Sequence, residues 1–158
     1  MYTMTILSNN FTSVVLKPLI FLCLLLSFNI QAMSQSSLQI KITDLYNTTA
    51  KVYVSVCEKA IDFPANQKQI KGFIIDPKGK KEILIKIDNI PYGEYAITTF
   101  QDMDGDEKLT TGFFGAPKEP FGFSNNFKPR FKGPKWDDCK FIYSAEKNIQ
   151  TIKLIKLF

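Results

Sequence analysis

Val52-Tyr53-Val54-Ser55-Val56-Cys57 makes every second side chain apolar and β-branched, with Tyr53, Ser55 and Cys57 between them. A period of two puts the valines on one face of an extended chain and the other three residues on the opposite face, the pattern of a half-buried strand. The same alternation recurs on either side. Leu38, Ile40 and Ile42 alternate with Gln39, Lys41 and Thr43, and Ile83, Ile85 and Ile87 alternate with Leu84, Lys86 and Asp88. Segments 72–76, 94–101, 139–144 and 149–157 bring the expected total to about seven strands. Turn signals separate them at Asn47-Thr48, Asp76-Pro77-Lys78-Gly79 and Asn89-Ile90-Pro91-Tyr92-Gly93. No stretch sustains a helical period. The expected fold is all-β, a sandwich of two antiparallel sheets of immunoglobulin-like type.

The N-terminal segment stands outside that pattern. Lys17 is the single charged residue of the first 34, and an apolar run of about 13 residues from Pro18 to Ile30 follows it, ahead of small residues at Ala32 and Ser34. Such a run is shorter than the roughly 20 residues of a membrane span. We read 1–34 as a signal peptide and 35–158 as one β-sandwich domain, which makes the protein exported, periplasmic or extracellular, with no transmembrane span after cleavage. Cys23 lies inside the apolar run without small residues before it, which argues against lipid attachment there.

Taking Lys17 from the 20 basic residues leaves 19 against 15 acidic ones, a net charge of +4. The lysines are scattered along the chain, and with export this argues against a nucleic-acid partner. Cys57 and Cys139, 82 residues apart, are a candidate disulfide. An exported protein can hold one, and a loop of that length would contribute about 4–5 kcal/mol on the chain-entropy account. The pattern also permits two separate thiols: Cys57 opposes the valine face, while Cys139 shares a face with Phe141 and Tyr143, and disulfide geometry is strict.

Residues 102–137 break the regular spacing. They hold no convincing strand, yet Phe113, Phe114, Phe121, Phe123, Phe127, Phe131 and Trp136 give them too much apolar surface for disorder. The expectation is one long aromatic-rich loop folded back over an edge or an end of the sandwich. It opens with Asp102-Met103-Asp104-Gly105-Asp106-Glu107-Lys108-Leu109-Thr110. Asp at positions 1, 3 and 5, a backbone carbonyl at 7 (Lys108) and an oxygen at 9 (Thr110) form the rhythm of a calcium loop, since spaced oxygens can converge on a hard cation. Two departures weaken it: Glu107 occupies the usual glycine position and Phe113 the usual bidentate glutamate. Glu119 is a remote acid able to supply a ligand. The alternative is an acidic turn leaving a strand.

Residues 113–127 follow. A carbohydrate- or peptide-binding platform would use the faces of Phe121 and Phe123 with Asn125 and Asn126 as hydrogen-bonding groups. The competing reading makes the segment a small satellite core, its asparagines closing local turns. Catalysis finds little support. The chain has no histidine, which removes Ser-His-Asp and Cys-His machinery. No phosphate-binding glycine loop is present. A hydrolase would have to join Asp102 to Glu119 or Asp137 in one pocket.

Three of these stretches together resemble an exported bacterial family known as domain of unknown function 2141: 90–97 (Ile-Pro-Tyr-Gly-Glu-Tyr-Ala-Ile), 100–106 (Phe-Gln-Asp-Met-Asp-Gly-Asp) and 114–126 (Phe-Gly-Ala-Pro-Lys-Glu-Pro-Phe-Gly-Phe-Ser-Asn-Asn). The resemblance spans about residues 38–157. It implies an exported sandwich similar to transthyretin-like domains, and it implies no activity. Glu107 and Thr110 depart from the family's acidic loop. The expectation is therefore a non-enzymatic exported module of unknown partner, with calcium as the candidate cofactor.

Overall fold

The computed structural model describes residues 36–64, 71–113, 115–130 and 132–157, and 35–158 form one compact unit. The expected leader over 1–34 lies outside the described residues. Among the described residues there are eight strands: β1 (Leu38–Thr43), β2 (Val52–Cys57), β3 (Lys71–Ile75), β4 (Ile83–Ile87), β5 (Gly93–Gln101), β6 (Phe121–Phe123), β7 (Phe141–Tyr143) and β8 (Ile149–Lys153). They form two sheets. The smaller has the order β4-β1-β8, the larger β3-β2-β5-β6, with β7 also pairing to β5. One helical turn, α1 (Trp136–Cys139), precedes β7. Among the described residues no helix is long and apolar enough to cross a membrane.

The alternation that predicts the strands also builds the core. In β1 and β4 burial switches at every residue, and Leu38, Ile40, Ile42, Ile83, Ile85 and Ile87 meet Val52, Val54, Val56, Tyr95, Ile97 and Ile152 between the sheets. Full burial of a side chain of this size contributes about 1.5–3 kcal/mol each before chain entropy is counted. At the corner leading into β5 the Tyr95 hydroxyl donates to the Pro91 carbonyl at 2.8 Å, four residues upstream. That is the tyrosine-corner arrangement of immunoglobulin-like sandwiches.

The expected all-β, mainly antiparallel sandwich is what the chain forms, and two details refine it. The pairing is not wholly antiparallel, because β8 runs parallel to β1, with Ile40 opposite Gln150 and Ile42 opposite Ile152. These are the first and last strands, so no short hairpin constrains their direction. Nor is 102–137 without a strand. β6 lies inside it, antiparallel to β5 with Thr99 opposite Gly122. Gly122 is needed there because a Cβ would stand 2.7 Å from the Ile152 side chain. Phe121 also exchanges two backbone hydrogen bonds with Ile155, 2.9 and 2.8 Å, closing one corner between the sheets.

The alternation breaks at two places, and both breaks have one cause. Cys57 ends β2 on the face opposite the valines, and Ala96 stands beside it in the register of β5, yet both are fully buried. They are covered from outside by a second cluster, with Phe63 and Cys139 buried and Phe123, Phe127 and Trp136 packed around them. Phe63 meets Phe123 and Trp136 edge-on, at 6.4 and 6.1 Å between ring centroids. Cys139 therefore does not share the core with Phe141 and Tyr143. It sits in α1 and turns to the outer face, in the same cluster as Cys57. Both residues remain thiols in this structure, and burial pushes the Cys139 thiol up to about 12.

Candidate metal centre

Asp102 follows directly on β5, and its amide donates to the carbonyl of Lys51, the residue before β2, at 2.9 Å. Its carboxylate is buried and shapes the loop. Oδ1 accepts from the Gly105 amide at 2.6 Å and Oδ2 from the Glu107 amide at 3.1 Å. The next two aspartates repeat the device on the surface. Asp104 Oδ1 accepts from the Asp106 amide at 3.3 Å, and Asp106 Oδ1 accepts from the Lys108 amide at 2.8 Å. The Thr110 hydroxyl donates to Asp104 Oδ2 at 3.2 Å, so position 9 is brought back onto position 3.

These turns gather one oxygen from each of Asp102, Asp104 and Asp106 within 4.8 Å of one another. Three carboxylate oxygens at that spacing can close on a hard cation of calcium's size. The glycine missing from position 6 does not prevent the loop from turning. Glu107 takes φ +64 in its place, a left-handed conformation that costs a non-glycine residue roughly 1 kcal/mol or more. Lys108 is exposed, its amide engaged with Asp106. Tyr53, stacked on Phe100 of β5, lies near enough to feel the loop's charges. Its hydroxyl oxygen is sealed from solvent with no hydrogen-bond partner among the described residues. Its acidity is lowered, first by burial and then by the charges of Glu107, Asp102 and Asp106. Buried hydroxyls ordinarily find a partner, so this one marks unmet bonding capacity beside the acidic loop.

Glu119 is the residue whose part the sequence leaves undecided. It is 3% exposed, and its two oxygens accept from the Met103 amide at 2.6 Å and the Thr110 amide at 2.9 Å. One side chain thus clasps both ends of the acidic loop. Between Thr110 and Lys118 the chain forms a small hairpin, with Thr111 opposite Pro117 and the Gly112 amide on the Ala116 carbonyl at 2.7 Å. Phe113 stands at its tip and is fully exposed.

The residues expected to offer a ligand platform are used otherwise. Phe121 is 1% exposed, and Phe123 is half-buried in the outer cluster. The Asn125 amide donates to the Lys140 carbonyl at 2.9 Å. Asn126 donates to Thr151 at 3.0 Å and accepts from the Lys153 amide at 2.8 Å, standing in for a neighbouring strand on the edge of β8. Both asparagines have positive φ, 59 and 52, a conformation asparagine tolerates better than most residues. Ser124 is fully buried: its hydroxyl accepts from the Ile97 amide at 2.9 Å and donates to the Cys139 carbonyl at 2.5 Å. Phe121 thus offers no exposed ring, and the side chains of both asparagines are engaged with backbone groups. They fasten the segment to β5, β8 and α1.

The carboxylates considered for hydrolysis are also spoken for. Asp102 and Glu119 each bond backbone amides through both oxygens. Asp137 lies on α1, exposed, and pairs with Lys140 at 3.1 Å.

Fold and loop together define a β-sandwich that carries an aspartate-rich excursion from the end of its longest strand. The chain belongs to the family described as uncharacterized protein conserved in bacteria, DUF2141, whose model matches residues 40–151. No curated protein and no solved structure matches it.

Proposed function

We propose that this protein is an exported, non-enzymatic β-sandwich module whose acidic loop binds calcium, the ion fixing the connection between β5 and β6. The observation that carries the reading is the convergence of Asp102, Asp104 and Asp106, one oxygen each within 4.8 Å of the others. Thr110, bonded to Asp104, is the fourth group at hand, and Lys108 would contribute a backbone carbonyl. The leader pattern of 1–34 supports export to the periplasm or beyond. The backbone bonds of Asp102 and Glu119, together with the lack of histidine, support a non-catalytic role.

Thermal unfolding in chelator, in millimolar calcium and in millimolar magnesium tests the reading. At 100 times its dissociation constant an ion adds about 2.7 kcal/mol, a rise of several degrees for a domain of this size. Asp104→Asn combined with Asp106→Asn should abolish a calcium-selective rise. A double variant that still responds like the parent, or a parent that does not respond, removes the assignment.

A further inference from the structure

The two lateral sides of the sandwich are finished differently. On one side Asn126 bonds along the edge of β8, and Phe121 exchanges backbone hydrogen bonds with Ile155. On the other side β4 pairs with β1 alone among the described residues. The Gln39 amide donates to the Asn148 carbonyl at 2.7 Å, and the Thr43 carbonyl accepts from the Leu154 amide at 3.0 Å, so these residues of β1 bond toward β8. Leu38, Ile40 and Ile42 alternate with them and bond toward β4, where they stand opposite Ile87, Ile85 and Ile83. The residues between, Leu84 and Lys86, therefore turn their amides and carbonyls to the open side. Glu82 does the same, since the carbonyl of Lys81 before it points inward and accepts from the Leu45 amide at 3.2 Å.

The side chains along that edge carry a pattern of their own. Lys80, Glu82, Leu84, Lys86 and Asp88 alternate with the inward residues and run cation, anion, leucine, cation, anion. A copy running the other way and centred on Leu84 meets every charge with its opposite. Sliding that copy by two residues sets either Lys80 against Lys86 or Glu82 against Asp88, and like charges directly opposite are destabilising. An edge guarded by charge repels another strand, whereas these charges select one register. Leu84 is 56% exposed at the centre, with Glu82 and Lys86 exposed on either side of it. Glu82 pairs with Lys41 of its own chain at 3.0 Å, and Lys86 is in no ion pair among the described residues.

We propose that β4 is the seam of a homodimer: two copies pair these strands antiparallel, with Leu84 opposite Leu84 of the second copy and Glu82 opposite its Lys86. A twofold axis perpendicular to the sheet maps the open edge onto itself, so one surface patch serves both partners. Glu82, Leu84 and Lys86 exchange backbone hydrogen bonds across the seam, because theirs are the amides and carbonyls that face outward. On the inner face Ile83 stands opposite Ile85 of the second copy. On the outer face the two Leu84 side chains meet, which removes apolar surface from water. Each three-stranded sheet thereby continues into its counterpart. The pairing involves neither the acidic loop nor any ion bound there.

Sedimentation equilibrium of the purified protein from micromolar to millimolar concentration tests it, with amide hydrogen exchange read at both ends of that range. The expected result is the mass of two chains at the upper end and of one at the lower, the Leu84 and Lys86 amides gaining protection as the dimer forms. Glu82→Lys and Lys86→Glu each set like charges across the seam at two symmetric places, and each should weaken the dimer about tenfold. The two substitutions together restore opposite charges and should recover most of that loss. Lys41 loses its partner in both chains that carry Glu82→Lys, so the difference between them reads the contact between copies alone. Leu84→Lys brings two ammonium groups together at the centre and should weaken the dimer at least as much. The thermal midpoint of the dilute protein should then stay near the parent's, because Leu84 is exposed. A chain that stays single up to millimolar concentration overturns the proposal. So does a dimer whose Leu84 and Lys86 amides exchange as in the single chain, or one in which the doubly reversed variant recovers nothing.

Discussion

The two halves of the excursion between β5 and β7 are held by different physics. Among the described residues of 102–120 only Asp102, Glu119 and Pro120 are buried, and Met103, Leu109 and Phe113 are exposed. Carboxylates accepting backbone amides give that half its shape. Residues 121–139 bury Phe121, Ser124 and Cys139 and pack Phe123, Phe127 and Trp136 over the larger sheet. The first half is organised by charge and is open to whatever neutralises charge. The second is organised by burial and should be indifferent to ions. The acidic loop is thus a place where a ligand can change the molecule, and the aromatic segment is the fixed part against which such a change is measured.

Ser124→Ala should give the largest effect and should fall entirely on the second half. Along β5, β7 covers residues 93–95 and β6 covers 98–100. The Ser124 hydroxyl fills the gap between them by taking the Ile97 amide. Its removal leaves that amide and the Cys139 carbonyl buried without this partner, at a cost of about 2–4 kcal/mol. Denaturant unfolding should show a loss of that size, the same in chelator and in calcium. A loss that calcium repairs would break the separation of the two halves.

Glu119→Gln sharpens the comparison from the other side. The amide keeps one acceptor oxygen but turns a donor toward either the Met103 or the Thr110 amide, costing about 1–3 kcal/mol. If an ion contributes to holding the loop, calcium should recover part of this loss as a rise in the unfolding midpoint. If calcium leaves the midpoint where it was while the parent responds, then Glu119 is needed to assemble the ion site. If the substitution costs nothing, the clasp is not a structural element, and the first half owes its shape to the aspartates alone.

The sequence reveals these halves unequally, for a physical reason. The strands of the main core are legible because a single period of two decides which face is buried, as in β1 and β4. Cys57 follows that rule, and its face is read correctly from the alternation. What the alternation cannot supply is that Phe63, Phe123 and Trp136 lie over that face, because distant pieces of chain assemble the cover. The error about Cys139 has the same origin: a strand pattern run backward through Lys140 misses the helical turn at 136–139. In the acidic loop the three aspartates are legible from spacing. Glu119 is not, since its importance comes from two amides, Met103 and Thr110, that only the folded loop places beside it. Asn125 and Asn126 suggest ligand binding by composition, whereas their positive φ and their bonds to β8 and Lys140 make them part of the framework.

The smallest expected effect is a pH dependence, and it too separates the halves. Burial raises the Cys139 thiol from 9.0 to about 12, with Asp138 adding to the shift. The neutral thiol is the form the folded cluster holds, so the folded state keeps its proton over a range in which the unfolded chain releases it. The stability this contributes is complete below pH 9, declines as pH rises above 9, and is fully lost once pH passes about 12. Between pH 8 and pH 10 the loss should be roughly 1 kcal/mol, seen as a falling denaturant midpoint in chelator. Tyr95, raised first by burial, and Lys140, raised first by its bond to Asp137, add in the same direction at higher pH. Cys139→Ala removes the thiol and should flatten the decline between pH 8 and pH 10, leaving the tyrosine and lysine part above it. The same thiol should react with a thiol reagent at neutral pH only when the outer cluster opens, at a rate that Ser124→Ala increases and calcium leaves unchanged. A calcium-dependent rate would mean that the acidic loop and the aromatic cover open as one unit, and the division between charge-held and burial-held halves would have to be redrawn.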